Sequence, residues 1–200
     1  MNIARDYWDS EYSDNSEHHA NQNAQITDDF LSAADPLFLD LLQRADSILE
    51  VGCGTGHFIG TVQGRYGTRK AVGNDLSSEA LATAAHLWPG VSFEKGDIRD
   101  WSGASYDVAI CSNVLEHFRD PEPVLEKLLD VAAAVIILVP DGQPVTDGYE
   151  AEGGAGHVHT FTLASFENYR VLGSFVFQTP GWQHSSADEV PRQLAVALSR

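Results

Sequence analysis

The chain has 200 residues, 43% of them apolar, which suits one domain with its own core or a core domain with a short arm. Its 29 acidic residues against 12 basic ones give a net charge of −17. With no Lys/Arg cluster to displace counterions from a phosphate backbone, nucleic acid is excluded as a partner. The acidity reads as a solubility device.

No apolar run reaches the roughly 18–20 residues that span a bilayer, so no membrane partner is expected. The polar start "MNIARDYWDSEY" lacks the apolar stretch of a secretory signal, and a cytoplasmic location is the expectation. Cys53 and Cys111 are too few for a disulfide framework and read as free thiols. Oligomeric state stays open, a homodimer included.

Residues 1–35 are polar, with "SDNSEHHANQN" at 13–23 showing no core periodicity, and read as a mobile or partly helical arm. "DPLFLDLLQRA" (35–45) begins an amphipathic helix, with Asp35 as N-cap and Pro36 at its first position. Strand and helix then alternate. "SILEV" (47–51) is a strand, "HFIGTVQGR" (57–65) a helix, "KAVGND" (70–75) a strand, and "SSEALATAAHLW" (77–88) a Ser-capped helix. "VSFEKGD" (91–97) and "YDVAICSN" (106–113) are strands, "DPEPVLEKLLDVA" (120–132) a helix, and "AVIILVP" (134–140) a strand. "FTLASFENYR" (161–170) reads as a helix, and "SFVFQ" (174–178) and "QLAVALS" (193–199) as strands of an antiparallel edge pair. This order predicts an α/β doubly wound sheet, mostly parallel, with an antiparallel edge strand at the C-terminus.

The stretch "ILEVGCGTGHF" (48–58) puts a glycine turn after the first strand, where open α/β sheets bind ligands. A dinucleotide fingerprint starting at Gly52 needs glycine at 57, and residue 57 is His. What stands there is Gly52, Gly54 and Gly56, preceded by the acidic Glu50, and a cofactor without a pyrophosphate tolerates that spacing. Asp75 ends the second strand, 19 residues past Gly56, where a carboxylate can take both hydroxyls of a ribose. Asp97 follows the third strand and could accept an adenine amine, with Leu76 and Ile98 covering the two faces of the base. Singly, each Asp is better explained as a turn residue than as a ligand. Three successive strand ends with suitable chemistry point to a nucleoside-containing ligand.

"ILEVGCGTGHF", "AVGNDLS", "FEKGDIRDW" and "YDVAICSNVLEHFRDPEPVLEKLL" together resemble the class I S-adenosylmethionine-dependent methyltransferases, over about residues 45–140. The resemblance implies a Rossmann-like fold with S-adenosyl-L-methionine as cofactor. Gly52, Gly54 and Gly56 would border its methionine part, Asp75 would hold the ribose, Asp97 and Ile98 would flank adenine, and Ser112 or Asn113 would lie under the sulfonium. Many relatives carry a Lys-Pro-Gly-Gly turn before the fifth strand, but "LLDVAAAVIILVPDG" runs straight through, a form that resembles small-molecule and sugar methyltransferases. The stretch "SNVLEH" (112–117) also lacks the Asn/Asp-Pro-Pro-aromatic run of nucleobase amino-methylating relatives.

Methyl transfer is an in-line displacement at a carbon activated by positive sulfur, so the protein's task is to align the partners and exclude water. A hydroxyl acceptor also needs a base. His157 and His159 in "GGAGHVHTFT" alternate and would share one face of an extended segment, with the Gly-rich lead-in allowing closure over substrate. The alternative has one of them packing on Phe161. No metal site is assigned: His157, His159 and Asp141 lack a well-spaced further ligand. His117 reads as a structural hydrogen-bonding residue.

The aromatic stretch "DYWDSEY" (6–12) can fold over the cofactor as a lid through Tyr7, Trp8 or Tyr12, and Trp88, Trp101 and Trp182 read as core or rim aromatics. The expected organisation is an arm or lid over 1–35 and a catalytic domain over 36–200. The expected activity is methyl transfer to an oxygen or nitrogen of a small molecule such as a sugar or specialised metabolite. The rivals are an NAD-dependent oxidoreductase, disfavoured by His57, and a non-catalytic adenosylmethionine-binding subunit.

Overall fold

In the computed structural model, residues 3–143, 156–180 and 190–200 are described. Five helices and seven strands follow in chain order. They are α1 (Ile3–Ala33), α2 (Pro36–Arg44), β1 (Ser47–Val51), α3 (His57–Tyr66), β2 (Lys70–Asp75), α4 (Ser78–Leu87), β3 (Ser92–Lys95), β4 (Tyr106–Ser112), α5 (Glu122–Val131), β5 (Ala132–Pro140), β6 (Arg170–Gln178) and β7 (Arg192–Ser199). The strands form one sheet in the order β3-β2-β1-β4-β5-β7-β6. β1 to β5 are parallel, while β7 runs antiparallel to both its neighbours. The expected doubly wound α/β fold is present. The C-terminal antiparallel strand lies one position in from the edge, and β6 forms the edge itself.

The parallel strands carry apolar residues in unbroken runs because both faces are covered. Alternation divides them between two layers. Leu49, Val51, Ala109, Cys111, Val135 and Ile137 face α5 in one cluster. Ile48, Val108, Ile110 and Ile136 face α1, α2 and α3 in the other. The order reverses on either side of β1, which pairs with β2 on one flank and β4 on the other. The crevice beyond the carboxyl ends of β1 and β4 is therefore the place for a ligand.

Two expectations change. Residues 161–170 hold only one tight helical turn, Leu163–Phe166, capped by Thr162 and Ser165. Phe166 is its one buried residue, and strand pairing with β7 takes the chain from Arg170 onward. Gly173 hides the start of β6 in the sequence because it weakens the strand pattern. It sits at a register shift where the backbone passes close to Leu37, and an added Cβ would collide there.

The arm is a 31-residue helix, kinked at Asn15 (φ −130°, ψ 27°). Trp8 and Tyr12 are four apart, as are Ile26 and Phe30, but the kink separates the two pairs, so no single stripe marks the helix. Its second half is core. Phe30 is fully buried, with Phe38, Phe58, Phe175 and Phe177 at ring distances of 6.0, 5.3, 5.8 and 5.9 Å. Asp35 and Ser77 cap α2 and α4 as expected. Among the described residues no helix is long and apolar enough to cross a membrane.

Candidate active site

The β1–α3 turn is tied down by two buried carboxylates. Gly52, Gly54 and Gly56 all have positive φ (67°, 50° and 77°). At Gly52 a Cβ would run into Val114, and at Gly54 into the Tyr12 hydroxyl and the Asn23 amide. Both positions therefore combine a left-handed backbone with close approach, and only glycine meets both. Gly56 N-caps α3 in the same conformation.

Asp75, buried at the end of β2, accepts the Gly54 N–H (2.8 Å) on one oxygen and the Ser77 N–H (2.8 Å) on the other. A carboxylate has about four lone-pair directions, so it keeps acceptor capacity for a ligand. Burial raises the Asp75 pKa, against the pull of the backbone N–H groups of Ser77, Gly54 and Leu76. Glu50 is buried beneath the turn and accepts the Ile59 N–H (2.9 Å). Burial pushes its pKa up to about 8 despite that bond, with Asp75 adding repulsion.

The third acidic position is engaged differently. Asp97 accepts the Arg99 N–H (2.9 Å) and forms an ion pair with the Arg99 guanidinium (2.7 Å). Burial raises its pKa, but Arg99 more than offsets this and leaves it lowered. Ile98 is buried in the core and Leu76 is half-buried. Ser112 and Asn113 line a small cleft with Gly52, Glu50 and Asn23. Asn113 has φ 54°, the one positive value on a non-glycine residue among those described, and its Oδ1 is buried with no partner. Such strain gathers at functional positions.

His57, where a dinucleotide fingerprint needs glycine, starts α3 and shares a hydrogen bond with Thr55 (3.1 Å). Close packing falls instead to Gly60, where an added Cβ would collide with Trp88. Trp101 packs at a rim against Tyr106. Trp182 and residues 151–155 of the Gly-rich lead-in lie outside the described residues.

On the other side of the crevice the two late histidines part. The backbone N–H groups of Val158 and His159 both bond to the Glu116 carbonyl (2.8 and 3.1 Å), so the segment turns and the two rings do not share a face. His157 meets His117 at 5.3 Å between ring centres, and His159 lies against Phe161 at 4.6 Å. Asp141 pairs with Arg192. Instead Glu116, His117 and His157 come together, their ligand atoms all within 4.8 Å of one another. Sequence reading missed this grouping. The adjacent Glu116-His117 pair was its one visible sign.

The first half of α1 closes over both sides. Asp9 accepts from the Ser78 N–H (2.7 Å) and the Ser77 hydroxyl (2.9 Å) at the N-terminus of α4, with the Lys95 ammonium at 3.8 Å. Burial opposes the Asp9 charge, but these donors win and its pKa is lowered. Trp8 stands edge-on to His117 at 5.5 Å. The Tyr12 hydroxyl stands over Gly54, its pKa raised well above normal by burial and by the charge of Asp75.

Residues 48–136 match the family model described as a methyltransferase domain. The fold has the same place among known proteins. Magnesium protoporphyrin IX methyltransferase from Synechocystis PCC 6803, solved with bound SAH, superposes with a TM-score of 0.70 at 16% identity, covering 99% of each chain. The putative methyltransferase complexed with the Haloferax volcanii Trm112 activator gives 0.69 at 15% identity, covering 96% of each chain. By sequence, trans-aconitate 2-methyltransferase of Variovorax paradoxus is 29% identical over 107 residues, 51% of this chain and 41% of that protein. The chain therefore spans about two fifths of the length of that curated relative. With the sheet order and the glycine turn, these matches show that residues 48–136 are similar to a methyltransferase domain and that the chain has the Rossmann-like fold of solved methyltransferases.

Proposed function

We propose that the protein binds S-adenosyl-L-methionine over the β1–α3 turn and transfers its methyl group to an oxygen or nitrogen of a small molecule. The observation that carries the reading is Asp75. Its buried carboxylate fixes the glycine turn and keeps acceptor capacity for ribose hydroxyls. Glu50 beneath the turn would take the ammonium of the methionine part, and Ser112 and Asn113 would border the sulfonium. Asp97 and Ile98 would flank adenine, with Leu76 on the other face.

An oxygen acceptor is favoured because the sequence relative acts on trans-aconitate and the chain is strongly acidic, without a basic cluster for nucleic acid. Of the two late histidines, His157 is assigned as base or orienting group, being set beside His117, which in turn meets Trp8. His159, tilted against Phe161, would act only by shaping the loop. The first half of α1 is assigned as a lid, and because Tyr12 stands over Gly54 it must shift before the cofactor can seat.

The test is transfer of a labelled methyl group from S-adenosylmethionine to trans-aconitate and a panel of small hydroxy acids, sugars and amines. Labelling of a small acceptor, slowed about a hundredfold or more in His157→Ala with cofactor affinity kept, supports the reading. Cofactor binding with no small acceptor labelled would favour the subunit reading instead.

A further inference from the structure

Glu116 is the most demanding side chain of the β4 side. It is 1% exposed, and neither carboxylate oxygen has a hydrogen-bond partner. Buried polar atoms are ordinarily paired, and a buried carboxylate is normally matched by a charge or a metal. What faces it is a pair of imidazoles, with the ligand atoms of Glu116, His117 and His157 mutually within 4.8 Å. Three ligands spread about an ion with bonds of about 2.1 Å lie about 3.4–3.7 Å apart, so one ion fits once the side chains close in by up to about 1 Å.

The histidines are also prepared. The Nδ1 of His117 bonds to the Gly156 carbonyl at 3.2 Å. A carbonyl can only accept, so the proton sits on Nδ1 and Nε2 keeps its lone pair. Ligating histidines are fixed in this way by an outer carbonyl or carboxylate. The loop bringing His157 is tied to the same point, since Val158 and His159 donate to the Glu116 carbonyl.

We propose that Glu116, His117 and His157 hold one divalent cation of the first transition row at the acceptor side of the crevice. Two imidazoles and one carboxylate suit Zn²⁺ or Mn²⁺ and not Ca²⁺, which takes all-oxygen shells. With three protein ligands the ion keeps open positions. There it would take an acceptor oxygen and make it easier to deprotonate, as metals do for bound water, with His157 acting as an orienting ligand and not as the base. That catalytic use rests on the methyltransferase reading, whereas the binding of the cation does not.

The test is equilibrium dialysis of the purified full chain against Zn²⁺, Mn²⁺ and Ca²⁺, with metal analysis and the visible absorption of bound Co²⁺. One Zn²⁺ or Mn²⁺ per chain is expected. Glu116→Gln and His157→Ala should each raise the Kd about tenfold or more, and His18→Ala, on the exposed face of α1, should leave it unchanged. If Glu116→Gln fails to fold, His157→Ala on the loop decides alone. No binding by the wild type, or equal binding by His157→Ala, overturns the site. Titrating the same samples with S-adenosylmethionine separates the two failures. Cofactor binding without the cation overturns only the metal site, and cation binding without the cofactor overturns only the cofactor reading.

Discussion

On the β1–β2 side of the crevice every functional group sits within a few residues of a strand end: Glu50 and the glycines at β1, Asp75 at β2. On the β4 side the groups come from three remote segments, with Trp8 from α1, Glu116 and His117 after β4, and His157 from the loop beyond β5. The first side is a local design in which backbone N–H groups and two carboxylates fix the turn. The second exists only once the sheet and α1 are assembled. A cofactor common to many enzymes can be served by the first kind of construction, and the acceptor is set by the second.

The contrast can be broken at graded cost. Phe30→Ala removes the fully buried ring that anchors α1 among four other phenylalanines, and should destabilise the protein by about 3–5 kcal/mol in denaturant unfolding. A cost below about 1 kcal/mol would mean that the second half of α1 is not core. Asp75→Ala should weaken S-adenosylmethionine binding by about 1.5–3 kcal/mol for each charge-assisted bond lost, read by calorimetry. Unchanged affinity would remove Asp75 from the site.

Asp9→Ala, which strips acceptors from the α4 N-terminus, should cost about 0.5–2 kcal/mol and expose the first half of α1 to limited proteolysis. Unaltered cleavage would show that Asp9 does not hold the arm down. A further effect concerns pH. Glu50 has a folded pKa raised to about 8 from an ordinary 4.5, so between those values the folded chain keeps a proton that the unfolded chain has released. Its contribution to stability therefore falls as pH rises through that window. Glu50→Gln should make the decline shallower, and an identical slope in wild type and variant would contradict the shift.

The same contrast explains what the sequence disclosed. The glycine turn, Asp75, the caps Asp35 and Ser77 and the alternation of strand and helix were legible because each is a short-range pattern with a local cause. The β4 side was not. His157 and His159 alternate in sequence, but two N–H groups bonding to one carbonyl turn the segment and divide the rings between His117 and Phe161. Asp97 lies at the expected strand end, yet Arg99, two residues on, holds its carboxylate. The buried half of α1 was hidden by the kink at Asn15, which breaks the helical stripe into two pairs. The helix read over 161–170 shrinks to the turn Leu163–Phe166, because Arg170 is already paired with Ser199 of β7.

The central claim is that the β1–α3 turn with Glu50 and Asp75 is built for S-adenosylmethionine. Calorimetric titration of the wild-type chain with S-adenosylmethionine, S-adenosylhomocysteine and NAD tests it most directly. Binding of the first two, one per chain, with none of the third is the predicted result. Binding of NAD alone would contradict the cofactor assignment and every role assigned to the turn.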